Sequence, residues 1–303
     1  MDEFADAGLD LRKRRPKETP RVGSGRSNAT FGELLQGALD ADGNNFMVTL
    51  PIAMWSSATL ELDTTEASLR VWPPTKRKSA RLARLILAHF GVTALGRLSV
   101  RSLVPEGKGL ASSSADLVAT ARAVSDAIGQ PLPQQTLLDF LRLIEPSDGV
   151  MYRGSVLFFH RQVEFGRTLG PLPRLRILAI DEGGEIDTIA YNRTSRAITR
   201  GEAAEYARLL SRVESAFEAR DFEEVGRVAT RSAVMNQRRN PKKHLHEVIE
   251  ISKRFGALGV AVTHSGPCVG VLVRESESHG SQIPEITEAL RGLGTEVMDL
   301  RGL

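Results

Sequence analysis

Residues 105–116 read PEGKGLASSSAD, a loop of mostly small residues that leads straight into the stretch LVATARAVSDAIG. The preceding stretch, RLSVRSLV, alternates apolar and polar residues as a strand does. After the loop, one helical face carries the apolar residues Leu117, Val118, Ala121, Val124 and Ile128. Gly129 and Pro131 are typical of a helix end. The loop is therefore predicted to join a strand to the N-terminus of a helix.

The small residues of this loop indicate an anion site. The first turn of a helix exposes backbone N–H groups without internal partners, and the peptide dipoles place about half a positive charge there. Gly107 and Gly109 let the backbone curl so that N–H groups converge, and Lys108 adds a full charge. The hydroxyls of residues 112–114 can donate to phosphate oxygens or coordinate a magnesium ion. Because neither GxxxxGK[ST] nor GxGxxG is present, a phosphate loop of another kind is predicted.

Helix capping is the alternative interpretation of the same residues. Serine is among the preferred N-cap residues because its hydroxyl accepts a hydrogen bond from an exposed backbone N–H group. Asp116 also suits the first turn, where a negative charge meets the positive end of the helix dipole. Composition alone does not decide between a capping role and an anion site.

Composition and charge describe an ordinary globular chain. Its 303 residues are 41% hydrophobic and 25% charged, enough for one large domain or two ordinary ones. Its 40 basic and 37 acidic side chains leave a net charge of +3, too small an excess to indicate nucleic-acid binding. No apolar run approaches the roughly 20 residues that cross a bilayer, and no signal-peptide core is present. We expect a cytoplasmic protein without a nucleic-acid or membrane partner.

Two further features of the sequence are predicted to have no catalytic role. The single cysteine, Cys268, cannot form an internal disulfide, and its apolar surroundings favour a buried structural thiol. Residues 1–20 carry the basic cluster RKRRPK with little to bury, which indicates a flexible basic tail. A nucleic-acid-binding arm is the alternative for this tail. No Cys/His cluster has the spacing of a zinc site.

The order of predicted elements indicates an α+β fold. Strands are predicted within residues 46–62 and 68–72, and helices in KSARLARLILAHFG and PQQTLLDFLRLIE. SVLFFHRQVEF and PRLRILAID are predicted as strands, and the polar segment GRTLGPLPR as a break between two domains. Three helices, a strand-turn-strand hairpin, a helix and a strand complete the chain. Antiparallel hairpins outnumber regular βαβ units in this pattern.

The opening loop resembles a motif of a known family. Pro105, followed after three residues by GLASSSA, is similar to the PxxxGLGSSAA motif of the GHMP kinases, which include galactokinase, homoserine kinase, mevalonate kinase and phosphomevalonate kinase. Ala111 stands where the family usually has glycine, and Ser114 where it usually has alanine. Both departures keep the side chain small, so a phosphate loop remains compatible with the sequence.

The other two family motifs have counterparts in the expected order. NATFGELLQG resembles the first motif, with its Gly-Glu pair at Gly32 and Glu33. GVAVTHSGPCVGVLV resembles the third, a hairpin whose tip is residues 264–267. Together with EPSDG, at residues 145–149, these motifs are most similar to the L-threonine kinase branch, which is associated with cobalamin side-chain synthesis and propanediol utilisation.

The resemblance implies a fold and a reaction. The fold is the two-domain GHMP kinase fold, with a ribosomal-protein-S5-like, ATP-binding domain at 21–170 and a ferredoxin-like domain at 171–303. The implied reaction transfers the γ-phosphoryl group of ATP, with Mg²⁺, to a small-molecule alcohol, a hydroxy amino acid such as L-threonine in this branch. L-serine, homoserine, a sugar or an isoprenoid precursor are alternative acceptors. A non-catalytic homologue and a homodimer are left open.

The resemblance also assigns residues to the nucleotide, the metal and the chemistry. Those assigned to the phosphates are Pro105, Gly107, Lys108, Gly109, Leu110, Ala111, Ser112, Ser113 and Ser114. Ser113 and Glu145 are assigned to Mg²⁺, and Asp148 to the catalytic base, with the roles of the two acids exchangeable. Many family members place their catalytic Asp in a Pro-Ser-Gly-x-Asp turn, whereas here Asp148 follows serine directly. A plain turn capped by Asp148 is the alternative.

The acceptor site is the least defined. By motif position it includes Glu33, His264, Ser265 and Gly266, although Glu33 on an exposed helix and a plain turn at 264–267 are alternatives. An amino-acid carboxylate needs a donor such as arginine, and the sequence does not choose among Arg26, Arg153, Arg193 and Arg238. Four other histidines belong to no acid/base pattern and are predicted to be surface or core residues: His160, His244, His246 and His279.

Overall fold

The computed structural model describes residues 21–40, 44–63, 66, 68–93, 95–184, 198–275 and 282–303. The basic tail predicted for residues 1–20 lies outside the described residues, as do Arg193 and His279. Within the described ranges, no helix is both long and apolar enough to span a membrane.

The described residues form ten strands and seven helices. The strands are β1 (Arg21–Ala38), β2 (Asn45–Asp63), β3 (Arg70–Trp72), β4 (Leu95–Ser102), β5 (Ser155–Phe159), β6 (Glu164–Gly170), β7 (Leu175–Asp181), β8 (Gly259–Val262), β9 (Cys268–Arg274) and β10 (Val297–Arg301). The helices are α1 (Arg77–His89), α2 (Ser112–Ile128), α3 (Gln134–Arg142), α4 (Arg200–Ala219), α5 (Phe222–Asn236), α6 (Leu245–Arg254) and α7 (Gln282–Arg291). The content confirms the predicted α+β class.

One sheet runs through the whole described chain. Its strand order is β10-β7-β9-β8-β1-β2-β4-β3, and β5 extends it by pairing with β2 and β6. In the described part of the chain, only the β3–β4 pairing is parallel. The long strands β1 and β2 lie at the centre, and Glu33 of β1 pairs with Val262 of β8. Glu33 therefore sits where the two halves of the sheet meet.

Apolar side chains cover both faces of much of this sheet. Helices α1, α2 and α3 enclose one cluster against β2 and β4. In β7, Ile177 and Ala179 join a second cluster with α4, whereas Leu178 and Ile180 join a third with α6 and α7. Alternate residues of this strand thus contact different layers. Cys268 is buried at the start of β9, as predicted, and burial raises the pKa of its thiol to about 12.

Two segments differ from the sequence-based prediction. The stretch predicted as a single strand is the hairpin β5–β6, and β6 continues to Gly170, inside the segment predicted as a domain break. The domain division after residue 170 stays a prediction. Strand β1 was not predicted because its residues from Ala29 to Ala38 are all buried and lack a period-two pattern. Glu33 is consequently a buried strand residue, and the exposed-helix alternative is wrong.

The turn between β8 and β9 packs directly on the loop that precedes α2. A Cβ atom at Gly266 would lie 1.9 Å from the carbonyl oxygen of Lys108, and one at Gly109 would lie 2.7 Å from the backbone nitrogen of Gly266. The Asn240 amide donates to the carbonyl oxygens of His264 and Gly266 at 2.9 and 3.2 Å. The buried Lys242 ammonium also donates to Gly266, at 2.6 Å. These contacts fix the turn against the loop.

We expect Gly266→Ala to lower the free energy of unfolding by roughly 1–3 kcal/mol, because the added Cβ meets backbone rather than a side chain that can move. Gly201→Ala is the matched control: nothing lies within 4 Å of its added Cβ. Its stability should stay unchanged or rise slightly, because alanine is the better helix former. Urea unfolding of the two variants measures the difference. Equal midpoints would contradict this account of the contact.

Candidate active site

The loop before α2 has the backbone of an anion site. Gly107, Gly109 and Ala111 have positive φ angles of 72°, 72° and 58°, while the residues between them do not. This alternation turns successive N–H groups toward one side of the chain. Ala111 is the N-cap of α2 and makes no side-chain capping hydrogen bond. The N–H groups of the first helical turn are therefore available to an anion.

The capping alternative is wrong for these serines. Residues 112–114 are the first three residues of α2, not its cap. Asp116 is not in the first turn either: it is buried, accepts from the Ser56 hydroxyl at 2.5 Å and pairs with the Lys76 ammonium at 2.6 Å. This ion pair ties α2 to the residue that precedes α1. The side chains of Ser113, Ser114 and Asp116 thus have partners other than the N–H groups of the first helical turn.

Loop, helix and hairpin border one cavity with the EPSDG turn. The described residues that line it are Glu33, Met47, Gly107, Gly109, Leu110, Ala111, Ser112, Ser113, Ser114, Glu145, Pro146, Ser147, Asp148, His160, His264 and Ser265. Three residues predicted for the site do not line this cavity. Pro105 is exposed, and Gly266 lies behind the loop against Lys108. The Lys108 ammonium pairs with Asp181 at 2.8 Å and donates to the carbonyl oxygen of Gly184 at 2.9 Å.

Ser113 and Glu145 form one pair of oxygen groups in the cavity. The Ser113 hydroxyl donates to one carboxylate oxygen of Glu145, and the Lys78 ammonium contacts the other. The Glu145 side chain is only 7% exposed. Lys78 belongs to α1, and nothing in its sequence context distinguished it from the neighbouring basic residues. Its position next to Glu145 is a consequence of tertiary packing.

This oxygen pair fits a magnesium ion by its chemistry. Mg²⁺ prefers oxygen ligands and usually takes one or two carboxylates together with substrate phosphates. Among the described residues, no group of three or more His, Cys, Asp or Glu side chains is placed to hold a metal by itself. A hydroxyl and one carboxylate beside an anion-binding loop match that mode of binding.

Ser114 holds the second acid of the turn. Its hydroxyl donates to a carboxylate oxygen of Asp148 at 3.2 Å and accepts the backbone N–H of Asp148 at 3.0 Å. Burial raises the pKa of Asp148 to about 6; the Ser114 hydrogen bond opposes this rise, and the charge of Glu145 adds to it. Asp148 therefore titrates near neutral pH, where a carboxylate can both ionise and accept a proton.

Glu33 faces Asp148 in the cavity. It is 4% exposed, and burial raises its pKa well above the usual value, with the negative charge of Asp148 adding to the rise. The ammonium of Lys242 and a hydrogen bond from the backbone N–H of His264 act in the opposite direction. The site thus contains one buried carboxyl group, Glu33, and one half-buried carboxyl group, Asp148, which repel each other when both are ionised.

Two histidines complete the inner end of the cavity. The rings of His160 and His264 meet edge to face with centroids 5.0 Å apart. Burial lowers the pKa of His160 to about 3 and that of His264 well below its usual value, so both rings are neutral. His264 contacts the Gln36 amide oxygen through Nδ1 at 2.6 Å. His160 was predicted as a surface or core residue without a role. It lines the cavity instead, and no local sequence pattern indicated this.

The three predicted arginines that the structure describes lie outside the cavity. Arg26 stacks on the ring of Trp55, 4.5 Å from its centroid, and Arg238 pairs with Glu202 at 3.5 Å. Arg153 is exposed, and His244 and His246 lie at the start of α6. None of these lines the cavity, and no arginine is found among the described lining residues. Among the described residues, a carboxylate in this cavity would contact groups other than arginine.

An anion-binding loop at a helix N-terminus, with carboxyl groups beside it, is an arrangement suited to phosphoryl transfer, which depends mainly on positioning and charge stabilisation. The family model described as "GHMP kinases N terminal domain" matches residues 56–152, and "GHMP kinases C terminal" matches residues 213–292. The chain belongs to the GHMP kinases and is an ATP:alcohol phosphotransferase. The resemblance inferred from the three motifs is confirmed.

Individual proteins of this family are similar to this chain over most of its length. An L-threonine kinase of Citrobacter freundii is 30% identical over 251 residues, which are 81% of this chain and 84% of the relative. An L-threonine kinase of Salmonella typhimurium is 28% identical over 253 residues, which are 81% of each chain. The crystal structure of a homoserine kinase from Cytophaga hutchinsonii covers 93% of this chain and 95% of its own, with a TM-score of 0.71 and 15% identity. The predicted two-domain GHMP kinase fold is confirmed.

We expect Asp148→Asn to stabilise the protein near neutral pH. The native pKa of about 6 exceeds the ordinary value of 3.8, so between these pH values native Asp148 keeps a proton that the unfolded chain has lost. Above about pH 6 the folded protein carries the full cost of the ionised carboxylate, which asparagine removes. Its contribution to stability is complete below pH 3.8 and is lost as pH rises to about 6. The variant should gain about 1–3 kcal/mol of unfolding free energy at about pH 7 and much less at about pH 4.5.

Urea unfolding at the two pH values measures this gain. Asp139→Asn in α3 is the matched control, because the Asp139 side chain is 55% exposed and pairs with Arg142 on the surface. Its effect should stay within about 0.5 kcal/mol at both pH values. A gain for Asp148→Asn that is the same at both pH values would contradict the raised pKa.

Proposed function

We propose that this protein transfers the γ-phosphoryl group of ATP to the side-chain hydroxyl of L-threonine, giving ADP and O-phospho-L-threonine. The similarity to L-threonine kinases over 81% of the chain supports this acceptor. The observation that carries the proposal is the position of Asp148. Its carboxylate accepts a hydrogen bond from Ser114, at the start of α2, and lies in the cavity that also contains Glu33. Cobalamin side-chain synthesis is the pathway that the branch resemblance suggests.

The phosphate end of the site is built from backbone. Phosphoryl transfer passes through a loose, highly charged transition state, so catalysis depends mainly on positioning and charge stabilisation. The left-handed residues Gly107, Gly109 and Ala111 and the uncapped start of α2 supply N–H groups and the positive end of a helix dipole. Residues 112 and 113 add hydroxyl groups beside them. These groups would hold the β- and γ-phosphates of ATP.

Ser113 and Glu145 are the residues that would hold the metal. Mg²⁺, when bound, neutralises negative charge on the transferred phosphoryl group. Lys78 contacts the same carboxylate and balances its charge. Glu145 therefore serves the metal in this proposal, and Asp148 is left to act on the acceptor.

Asp148 is the proposed base. As the threonine oxygen attacks the γ-phosphorus, the bond from that phosphorus to the β–γ bridging oxygen breaks and ADP leaves. The hydroxyl proton passes to a carboxylate oxygen of Asp148, which Ser114 keeps in a fixed orientation. A pKa of about 6 keeps most of this carboxyl group ionised at neutral pH and still basic enough to take the proton. The proton is then released to solvent.

The acceptor assay tests the substrate. Purified protein with ATP and Mg²⁺ should form ADP with L-threonine, and phosphothreonine should be detected by ³¹P NMR and mass spectrometry. L-serine, homoserine and galactose should react more slowly, because an acceptor that fits less well loses transition-state binding. Turnover of one of these alcohols without turnover of L-threonine would assign a different substrate to the same enzyme.

Removal of the proposed base tests the mechanism. Asp148→Asn should lower kcat by about 100- to 10,000-fold, because a positioned general base contributes that much. The KM for ATP should change little, since Asp148 faces the acceptor in this scheme. Asp139→Asn controls for loss of an acidic side chain outside the cavity and should keep full activity. Steady-state kinetics on both variants gives the answer, and full activity in Asp148→Asn would remove Asp148 as the base.

A further inference from the structure

The inner end of the cavity contains buried polar atoms without hydrogen-bond partners among the described residues. They are Oε2 of Glu33 and both ring nitrogens of His160. His160 is 3% exposed. Buried polar atoms in proteins are nearly always hydrogen-bonded, so such a group marks a place where a polar ligand or ordered water binds. We call the part lined by Glu33, Met47, His160 and His264 the inner pocket.

We propose that His160 binds the carboxylate of the amino-acid acceptor while Glu33 binds its ammonium group. This inference rests on the proposed function, because it assumes a zwitterionic acceptor. L-threonine carries its hydroxyl on the carbon next to the one that bears both charged groups. An acceptor hydroxyl at Asp148 therefore brings the charged groups into the inner pocket, where Glu33 and His160 lie.

The chemistry of His160 suits a carboxylate. Its neutral ring offers one N–H donor, and neither of its nitrogens is engaged within the described structure. A hydrogen bond from this N–H to an ionised carboxylate is of the stronger, charge-assisted kind. The neighbouring His264 already uses Nδ1 on Gln36, so His160 is the freer of the two rings.

The charges around the inner pocket favour a zwitterion. Glu33 supplies a negative charge when ionised, and a bound ammonium group would favour that state. Positive charges act on the histidine pair: Arg161 on both rings, and Arg239 and Lys242 on His264. No arginine lines the described cavity, so a carboxylate placed here is recognised by an imidazole within a positive surrounding field. An acceptor without a carboxylate gains nothing from this arrangement.

A comparison of two acceptors isolates the contact. L-threoninol has a CH₂OH group in place of the carboxylate of L-threonine and keeps the ammonium and the reactive hydroxyl. We expect His160→Ala to lower kcat/KM for L-threonine by about 10- to 100-fold, the usual range for a hydrogen bond to a charged group. The same variant should change kcat/KM for L-threoninol less than about 3-fold, and the KM for ATP should not change.

Two further variants make this result specific. His160→Gln keeps an N–H donor and should recover part of the activity on L-threonine. His246→Ala removes an exposed histidine of α6 and should leave both acceptors unaffected. Thermal unfolding checks that each variant is folded, and His160→Asn replaces the alanine variant if that one does not fold. An equal loss of kcat/KM for both acceptors, or no loss, would overturn the carboxylate contact.

Calorimetric binding in the presence of ADP separates the two proposals. If the unmodified protein phosphorylates L-threonine but His160→Ala binds it as tightly, only the inference about His160 fails. If the unmodified protein neither binds nor phosphorylates L-threonine, the proposed function fails, and the inference fails with it. Tighter binding of L-threonine than of L-threoninol by the unmodified protein, with that difference lost in His160→Ala, supports both.

Discussion

The contact between two backbone segments, at Gly109 and Gly266, is the constraint on which the active site depends. Each glycine lies where a Cβ atom would overlap the other segment, so the β8–β9 turn rests on the loop before α2 at backbone distance. Asn240 and Lys242 fix the turn from the opposite side. Because of this contact, Glu33 of β1 and the start of α2 share one cavity although they are far apart in sequence.

The carboxyl groups of that cavity lower the stability of the folded protein and favour the binding of charged ligands. Burial raises the pKa values of Glu33 and Asp148, and the charge of Asp148 adds to the rise at Glu33. The Lys242 ammonium offsets only part of the rise at Glu33. A core selected for stability alone would not retain such a pair. Ligands carrying opposite charge would relieve the repulsion. The same carboxyl groups that weaken the folded state thus favour binding of a cation or a zwitterion.

Sequence analysis predicted the features that depend on local pattern. The strand–loop–helix unit, the small residues of the loop and the turn around Asp148 carry local signals. Strand β1 carries no alternation because both of its faces are buried beyond Ala29, and the hairpin β5–β6 was predicted as one strand. Lys78 and His160 reach the cavity only through tertiary packing, so no window of sequence indicates them. The sequence did not choose among the arginine candidates, because a chemical requirement does not specify which residue meets it, and the three that the structure describes do not line the cavity.

The left-handed conformation of Ala111 affects when the loop before α2 becomes ordered. A left-handed alanine costs roughly 1 kcal/mol more than a glycine in the same conformation, yet its backbone has fewer alternative states than glycine has. The loop is therefore more rigid before nucleotide arrives than it would be with glycine at this position. More of the loop's conformational entropy is therefore lost when the protein folds, and less is lost when the nucleotide binds.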